Sequence, residues 1–594
     1  MSYRRKKLLA LFFAMALSMT AVAGCTGIKS STGNVVSSET ETNAEETSAQ
    51  SEAGTFSSAD MFTERDLAGT YEESGAVYVT LSDDGIAGET DGVVIDGQMV
   101  TITAEGTYIF SGTLSEGQIV VDADNAKVQI VFDNVDITCA SSAAVYVKSA
   151  EKVFVTLAEG SQNTLRNTDE YVAIDDNNID AVIFAKSDLT LNGTGSLTII
   201  SAEGHGIVSK DDLKIIGGTY DITAAGHALS GKDSVRIADG TFILTAEKDG
   251  IHAENADDEE KGYIYIADGD FTITSDGDGM DASNIVQIED GTLDITAGGG
   301  SANSLKTHES DVPGGPGGGM PQNGEKLDGE SMPQMGEKPD GENMPQDTTT
   351  DESGTSTKGI KADGGMYLNG GTYQIDSADD SIHSNANITI ADGTYTLATG
   401  DDGVHADDAL IVNGGTITVT ESYEGLEGLA VTINDGTIDI TASDDGINTA
   451  GEKMELNGGY IHILAGGDGV DSNGDLTING GEIYIDGPSD NGNSAIDYGD
   501  RSSAYVNGGM LVAIGSSGMA EGMSDSSKQE VLMVKLGEQM EAGDVELTDN
   551  EGNVIVSYTA LKSYDCVIIS TAEVESGAAY TLATSGTTTE VTAE

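Results

Sequence analysis

The sequence predicts an all-β protein: a right-handed parallel β-helix of about 22 residues per coil, with a small C-terminal β-domain. Three observations predict this fold. A turn motif recurs at a fixed spacing, short runs of alternating β-branched residues flank it, and glycine supplies 78 of the 594 residues. A solenoid can reach this length because each coil packs only on its neighbours.

The repeat is carried by a turn in which Gly or Asp is followed by Gly. Its first residues lie 21 to 23 residues apart between Gly370 and Gly480. Runs such as Ile417-Thr418-Val419, just after the turn at Gly414, have the alternation typical of strands. Hexapeptide and nonapeptide β-helices have shorter coils of about 18 residues, and the chain lacks the Leu and Asn framework of leucine-rich repeats. The right-handed form is therefore predicted.

The N-terminal segment predicts export and lipidation. A basic and then apolar stretch ends in Val22-Ala23-Gly24-Cys25, which resembles a bacterial lipobox. Residues 1–25 are thus predicted to be a lipoprotein signal peptide, cleaved before Cys25, whose sulfur carries the lipid. Residues 26–60 contain almost no large apolar side chain and are predicted to form a disordered tether. We expect an extracytoplasmic protein, anchored to the cell membrane and exposed on the surface.

Composition divides the rest of the chain. The β-helix is predicted over residues 75–520. Residues 306–356 hold six of the seven prolines and are expected to form a disordered loop rich in Pro, Gly and Met. The period stops after Ser516, and residues 525–594 are predicted to be the C-terminal β-domain. Cys139 and Cys566 are far apart in sequence, and we expect two buried free thiols.

The charge restricts the partners. Lys and Arg number 27 against 101 Asp and Glu, a formal net charge of −74. Nucleic acid and anionic membranes need a basic face, so nucleic acid is excluded and membrane contact is expected only through the lipid anchor. A cation is a suitable partner for such a chain. We expect the protein to be a monomer.

A second motif recurs in each coil: an acidic residue, Gly or Ser, an aliphatic residue, and a polar residue. Residues one coil apart stack about 4.8 Å apart in a β-helix, so the motif predicts two polar ladders with the aliphatic residue pointing inward. The first ladder is predicted to contain Asp380, Asp402, Glu424, Asp445 and Asp468. The second is predicted to contain His383, His405, Glu427, Asn448 and Asp471.

Stacked carboxylates repel one another, by about 1 kcal/mol per pair in water and about 3–4 kcal/mol at an effective dielectric constant near 20. Calcium would relieve this repulsion, because it accepts six to eight oxygen ligands in flexible geometry. The alternative is that the Asp residues merely bond turn amides. The loop 486–500 is a second cation candidate through Asp490 and Asp497. The histidines are expected to be polar surface or sugar contacts rather than zinc ligands.

Several of these segments resemble a known family. Asp379-Asp380-Ser381-Ile382-His383-Ser384-Asn385, Ser443-Asp444-Asp445-Gly446-Ile447-Asn448 and Gly515-Ser516-Ser517-Gly518-Met519 resemble bacterial, largely clostridial, carbohydrate-binding β-helix lipoproteins, first described as a domain of unknown function. The resemblance covers roughly residues 75–590 and is specific between 357 and 520. It implies a pectate-lyase-like fold, calcium sites, and non-catalytic binding of plant cell-wall polymers such as cellulose and pectic acid.

Three functions remain open. In a polysaccharide-binding module no residue would be catalytic, Asp471 would bind calcium with the first ladder, and the sugar contacts would be His383, His405, Tyr423, Glu427, Asn448 and Tyr498. In a calcium-dependent polysaccharide lyase, Lys358 or Lys361 would be the base, because they occupy ladder positions one coil before Asp380 and His383. In a surface spacer or adhesin, calcium would only stiffen the rod.

Overall fold

A computed structural model of the protein describes residues 56–88, 90–306, 356–451, 453–499 and 501–593. The predicted signal peptide with Cys25, most of the predicted tether and nearly all of the Pro/Gly/Met loop lie outside these residues. The described residues belong to one compact unit. Within those ranges, no helix is both long enough and apolar enough to cross a membrane.

Helices are few and short in the part of the chain that the structure describes: α1 is Ser58–Met61, α2 is Glu64–Leu67, and one 3-10 turn spans Ser301–Asn303. The predicted boundary of the tether at residue 60 is wrong. Phe56 stacks against Tyr263 with ring centroids 4.4 Å apart, and Met61 is buried. These two apolar side chains dock the segment onto the outside of the β-helix.

Each regular coil contains three short strands that pair in parallel with the equivalent strands of the next coil. Ile360–Ala362, for example, pairs with Ile382–Ser384, and Thr372–Ser377 pairs with Thr394–Thr399. The paired residues are 22 apart, as the turn spacing predicts. The predicted parallel β-helix is therefore confirmed.

The first coils are less regular and include one antiparallel hairpin between the second and third strands. These strands are β1 Val77–Leu81, β2 Val93–Asp96, β3 Met99–Ile102, β4 Gly106–Leu114, β5 Gln118–Asp122, β6 Lys127–Thr138, β7 Val145–Ser149, β8 Lys152–Leu157 and β9 Gln162–Asn167.

The regular coils follow up to residue 515. Their strands are β10 Ala181–Ala185, β11 Asp188–Gly193, β12 Ser196–Ser201, β13 His205–Ser209, β14 Asp212–Ile215, β15 Thr219–Ala224, β16 Leu229–Gly231, β17 Ser234–Ile237, β18 Thr241–Ala246, β19 Ile251–Ala253, β20 Tyr263–Ile266, β21 Asp270–Ser275, β22 Met280–Ala282, β23 Val286–Ile288, β24 Thr292–Ala297, β25 Ile360–Ala362, β26 Met366–Leu368, β27 Thr372–Ser377, β28 Ile382–Ser384, β29 Ile388–Ile390, β30 Thr394–Thr399, β31 Val404–Val412, β32 Thr416–Glu421, β33 Leu426–Ile433, β34 Thr437–Ala442, β35 Ile447–Thr449, β36 Met454–Leu456, β37 Tyr460–Ala465, β38 Val470–Ser472, β39 Leu476–Ile478, β40 Glu482–Asp486, β41 Ile496–Tyr498, β42 Ala504–Val506 and β43 Met510–Gly515.

The C-terminal segment is also β-structure, and it shares a sheet with the helix. The last six strands are β44 Leu532–Met540, β45 Gly543–Asp549, β46 Val554–Ala560, β47 Tyr564–Ser570, β48 Ala579–Thr584 and β49 Thr587–Thr592. Strand β47 pairs antiparallel with both β43 and β44, and the other four form a separate sheet in the order β46-β45-β48-β49. The segment thereby covers the open end of the last coil, whose exposed backbone groups would otherwise be a site for association.

The interior is a continuous stack of aliphatic residues. Ile382, Val404 and Ile447, the aliphatic members of the recurring motif, are fully buried as predicted. The glycine beside them is required by packing: a Cβ atom on Gly446 would lie 2.2 Å from Cγ2 of Ile463 and 2.5 Å from the carbonyl oxygen of Gly469. The predicted free thiols Cys139 and Cys566 are confirmed as buried and unpaired.

Candidate functional site

The two predicted ladders exist and are longer than predicted. Strand register aligns each acidic position with the equivalent position of the next coil. The first ladder runs through His205, His227, Asp249, Asp278, Lys358, Asp380, Asp402, Glu424, Asp445 and Asp468. The second runs through His252, Asp281, Lys361, His383, His405, Glu427, Asn448, Asp471 and Asp497.

The carboxylates of the first ladder accept hydrogen bonds from backbone amides one coil further on. The N–H of Asp402 donates to Oδ1 of Asp380 at 3.1 Å, and the N–H of Glu424 donates to Oδ1 of Asp402 at 3.1 Å. Farther along, the N–H of Asp468 donates to Oδ1 of Asp445 at 2.6 Å. These carboxylates therefore do bond backbone amides, as the alternative to ion binding predicts. Each such bond uses one carboxylate oxygen, and the second oxygen can contact another partner.

In the middle of the ladders that second oxygen faces basic side chains of the protein itself. Oδ2 of Asp380 lies 2.7 Å from Nζ of Lys358 and 2.8 Å from Nδ1 of His383. Oδ2 of Asp402 lies 3.0 Å from Nδ1 of His405. Burial alone would raise the pKa of Asp380, but Lys358 and His383 hold it well below its usual range. Basic side chains of the chain itself therefore accompany these carboxylates, and the prediction that Asp380 and Asp402 bind an ion stays a prediction.

Two acidic residues that sequence reasoning did not single out belong to the same stretch. Asp379 and Asp401 lie beside Asp380 on the inside of the turn, with ligand atoms within 4.8 Å of one another. Nζ of Lys306 lies 2.9 Å from Asp379 and 2.5 Å from Asp401. The doubled acids in Asp379-Asp380 and Asp401-Asp402 were the signal that could have found them.

Farther along, the balance of charge changes. Nδ2 of Asn448 donates to Oε2 of Glu424 at 2.9 Å and to Oε1 of Glu427 at 3.3 Å, so the predicted residues of the two ladders are in contact. Burial and then the neighbouring Glu427, Asp402 and Asp445 hold the pKa of Glu424 well above its usual range. From this coil onward the negative charges outnumber their partners.

The acidic cluster is formed by Asp445, Asp468 and Asp471, whose carboxylate oxygens lie within 4.8 Å of one another. No lysine, arginine or histidine in the described ranges is within ion-pair distance of them. Burial, followed by repulsion from neighbouring carboxylates, raises the pKa of Asp445 to about 8 and that of Asp471 to about 6. The pKa of Asp468 is raised to about 7, mainly by burial and against the bond from the Ser494 amide.

The other predicted site residues fall into two groups. Asp497 pairs with Asp471 in strand register and adds its charge to the acidic cluster. Asp490 is exposed in its loop and accepts the N–H of Gly492 at 2.8 Å, so it is not brought to the ladders. Tyr423 and Tyr498 are half-buried beside the ladders, and the hydroxyl of Tyr498 donates to the carbonyl of Gly522 at 2.6 Å.

Sequence reasoning also missed the histidine end of the ladders. His205 and His227 occupy first-ladder positions, and their rings stack at a centroid distance of 4.8 Å. The segments His205-Gly206-Ile207 and His227-Ala228-Leu229 follow the recurring motif with His in place of the acid. Allowing His at that position would have revealed them.

Comparison with known proteins shows which family has this architecture. The model of a family described as carbohydrate-binding domain-containing proteins matches residues 96–403 and 401–591. The chain belongs to this family. Its ladders and acidic cluster all lie within the matched residues.

A family member from Acetivibrio thermocellus, also described as a carbohydrate-binding domain-containing protein, is 40% identical over 139 residues, which is 23% of this chain and 49% of that protein. This chain thus matches about half the length of that relative. A solved structure titled as the polysaccharide lyase-like protein from C. thermocellum, gadolinium derivative, is 36% identical and covers 38% of this chain and 92% of its own, with a TM-score of 0.37.

Proposed function

We propose that this protein is a lipid-anchored surface protein that binds polysaccharide along its ladder face, with calcium held by the acidic cluster, and that it has no catalytic activity. Membership of the carbohydrate-binding family supports the polysaccharide partner. The acidic cluster is the observation that carries the calcium: three mostly buried carboxylates converge with no described cation beside them.

The donor set fits calcium. A calcium–oxygen distance of about 2.4 Å allows two ligands of one ion to be up to about 4.8 Å apart. Asp445, Asp468 and Asp471 meet that limit, and Asp497 lies one coil farther on. These donors are all oxygens, the ligand type that calcium prefers. A bound divalent ion would also offset the repulsion that raises their pKa values.

The ladder face suits a linear polymer. It repeats polar side chains coil after coil, with a spacing of about 4.8 Å, and Tyr423 and Tyr498 stand beside it as half-buried rings. An acidic polymer would approach this negative surface only through bridging calcium, whereas a neutral glucan needs no bridge. We therefore propose pectic acid as a calcium-dependent ligand and cellulose as a less dependent one.

The contacts of the two lysine candidates argue against a lyase. Burial lowers the pKa of Lys358, but Asp380 and Asp379 outweigh it and hold the value above normal. Asp281 does the same for Lys361 at a distance of 2.9 Å. A general base must be unprotonated to accept a proton. Both ammonium groups are held in the charged form, so neither is suited to that role.

Polysaccharide binding in the presence and absence of a calcium chelator tests the proposal. We expect retardation of the protein in gels that contain pectic acid, and loss of that retardation in chelator. No binding to any plant or bacterial cell-wall polymer would contradict it and favour a spacer. Release of unsaturated uronate products would contradict the absence of catalysis.

The anchor is tested separately. Cys25→Ser removes the thiol that the lipid would occupy, so the variant should lose metabolic labelling with fatty acid and leave the detergent phase. The polysaccharide test uses the same chain and does not depend on this result.

A further inference from the structure

At the histidine end of the ladders, ligand atoms of His227, Asp249 and His252 lie within 4.8 Å of one another, and Asp281 lies beside His252. Oδ2 of Asp249 lies 2.9 Å from Nδ1 of His227 and 3.1 Å from Nδ1 of His252. Oδ2 of Asp281 lies 3.3 Å from the same nitrogen of His252. All four side chains are mostly buried, with 14–17% of each exposed. We propose that these residues form a binding site for a divalent transition-metal ion of the zinc class.

The nitrogen of His252 is the first argument. Nδ1 of His252 is buried and makes no hydrogen bond to any described residue, although two carboxylate oxygens are close. Neither oxygen therefore lies in line with the N–H direction, which a simple imidazolium–carboxylate pair would require. The nitrogen is close to both Asp249 and Asp281, and an ion bound to all three would give it a partner.

The second argument is the ligand spacing. Zinc binds nitrogen and oxygen ligands at about 2.0–2.2 Å, so two ligands of one tetrahedral ion are about 3.3 Å apart. The distances of 2.9, 3.1 and 3.3 Å lie at or slightly below this value, so a small outward shift of the side chains would admit the ion. Nδ1 of His227 accepts the N–H of Asp249 at 3.2 Å, which places the ring proton on Nε2. An ion bound to Nδ1 would replace this long hydrogen bond.

The donor types separate this site from the acidic cluster. Two imidazoles with carboxylates suit zinc, cobalt, nickel or copper, whereas calcium prefers oxygen alone. Asp249 and Asp445 are six coils apart along the first ladder, roughly 29 Å at the strand spacing. The two ions would therefore bind independently and differ in chemistry.

The surroundings leave the ion accessible. A cavity of about 370 Å³ opens above the cluster, and its lining includes His205 and His227 together with Lys210, Lys232 and Lys248. The lining also holds Glu254 and Asp257, and Lys232 pairs with Asp257 at 2.7 Å, so the cavity carries charges of both signs. An anionic group from solvent could approach the ion there and complete its coordination.

Titration of the untagged full-length protein with Co²⁺ and Zn²⁺ tests the site. Co²⁺ at one equivalent should give the visible absorption of a low-symmetry nitrogen and oxygen site, and Zn²⁺ should remove it. Millimolar calcium should not. Bound zinc should be confirmed by elemental analysis after dialysis.

The variants are His227→Gln and His252→Gln, with His462→Gln as the matched control. The side chain of His252 makes no hydrogen bond to the backbone within the described residues, and His462 pairs with Asp439 on another strand. Each site variant should weaken zinc binding by more than about 10-fold, because losing a residue that only hydrogen-bonds to a metal ligand already costs about that much. The control variant should leave zinc binding unchanged. Melting temperatures without metal check that each variant folds. Absence of stoichiometric cobalt binding, or equal loss in the His462 control, would overturn the site in favour of an ion pair.

Discussion

The N–H of Asp468 donates to Oδ1 of Asp445 at 2.6 Å, so a carboxylate that repels its neighbours also joins one coil to the next. The same side chain thus has a structural role through one oxygen and leaves the other for an ion. Substitutions of Asp445 can therefore be chosen to remove the ion contact alone or the ion contact and the amide bond together. Asparagine keeps an oxygen for the amide and removes the charge, whereas alanine removes both.

Calcium should stabilise the fold, since a ligand that binds only the native state adds about 2.7 kcal/mol at a concentration of 100 times Kd. We expect a higher melting temperature in millimolar calcium than in chelator. Asp468→Asn should reduce this shift and should keep the bond from the Ser494 amide. Asp439→Asn is the control, because Asp439 is exposed on another strand. A shift of the same size in both variants would show that calcium acts elsewhere.

Without calcium, stability should fall as the pH rises from about 5 to 8. The folded pKa values of Asp445, Asp468 and Asp471 are raised to about 8, 7 and 6, while an unfolded Asp titrates near 3.9. In this window the folded chain holds protons that the unfolded chain has lost, so the free energy of unfolding decreases with pH. Melting curves in chelator at several pH values test this.

The double variant Asp445→Asn with Asp468→Asn should make that decline less steep, because two of the three titrating groups of the cluster are gone and only Asp471 remains there. Calcium should flatten it as well, since the ion stabilises the ionised form. A decline of equal slope in the wild type and the double variant would contradict the assignment to these carboxylates.

The fold could be predicted almost completely, because the period of the turns depends on local chemistry that each coil repeats. The five carboxylates of the first ladder were predicted for the same reason. The sequence did not reveal which basic side chains pair with these carboxylates. Lys306 reaches Asp401 across 95 residues, and such a contact leaves no periodic signal. Asp490 was predicted as a ligand on composition alone, and its loop turns it away from the ladders.

Truncating a buried carboxylate that has basic partners should destabilise the fold. Asp380 is 2% exposed and contacts Lys358, His383 and the amide of Asp402. Asp380→Ala should lower the free energy of unfolding by about 3–5 kcal/mol, the cost of leaving buried charges without their partner. Asp439→Ala, at an exposed carboxylate, should cost less than about 1 kcal/mol. Chemical denaturation measures both, and equal losses would contradict this account of the ladder.

The glycine of the recurring motif should not tolerate a side chain. Gly446→Ala places a Cβ atom against Ile463 and the backbone of Gly469, and overpacking of this kind costs about 1–3 kcal/mol. Gly217→Ala is the matched control, because its nearest neighbour would be 3.6 Å away. Denaturation midpoints compare the two. A stable Gly446→Ala protein would mean that the coil can expand without loss.

The charge of the polymer should decide whether calcium is needed. If calcium joins the acidic cluster to uronate carboxylates, binding of pectic acid should require calcium and should weaken as the polymer is methyl-esterified, because each ester removes one negative ligand. Cellulose has no carboxylate, so chelator should affect it less. Asp445→Asn with Asp471→Asn should weaken calcium binding and retention by pectic acid together, while the Asp439→Asn control keeps both. Retention is measured on pectic acids that differ in their degree of methyl-esterification. Calcium binding is measured by calorimetry. A double variant that no longer binds calcium but still binds pectic acid fully would place the glycan site away from the acidic cluster.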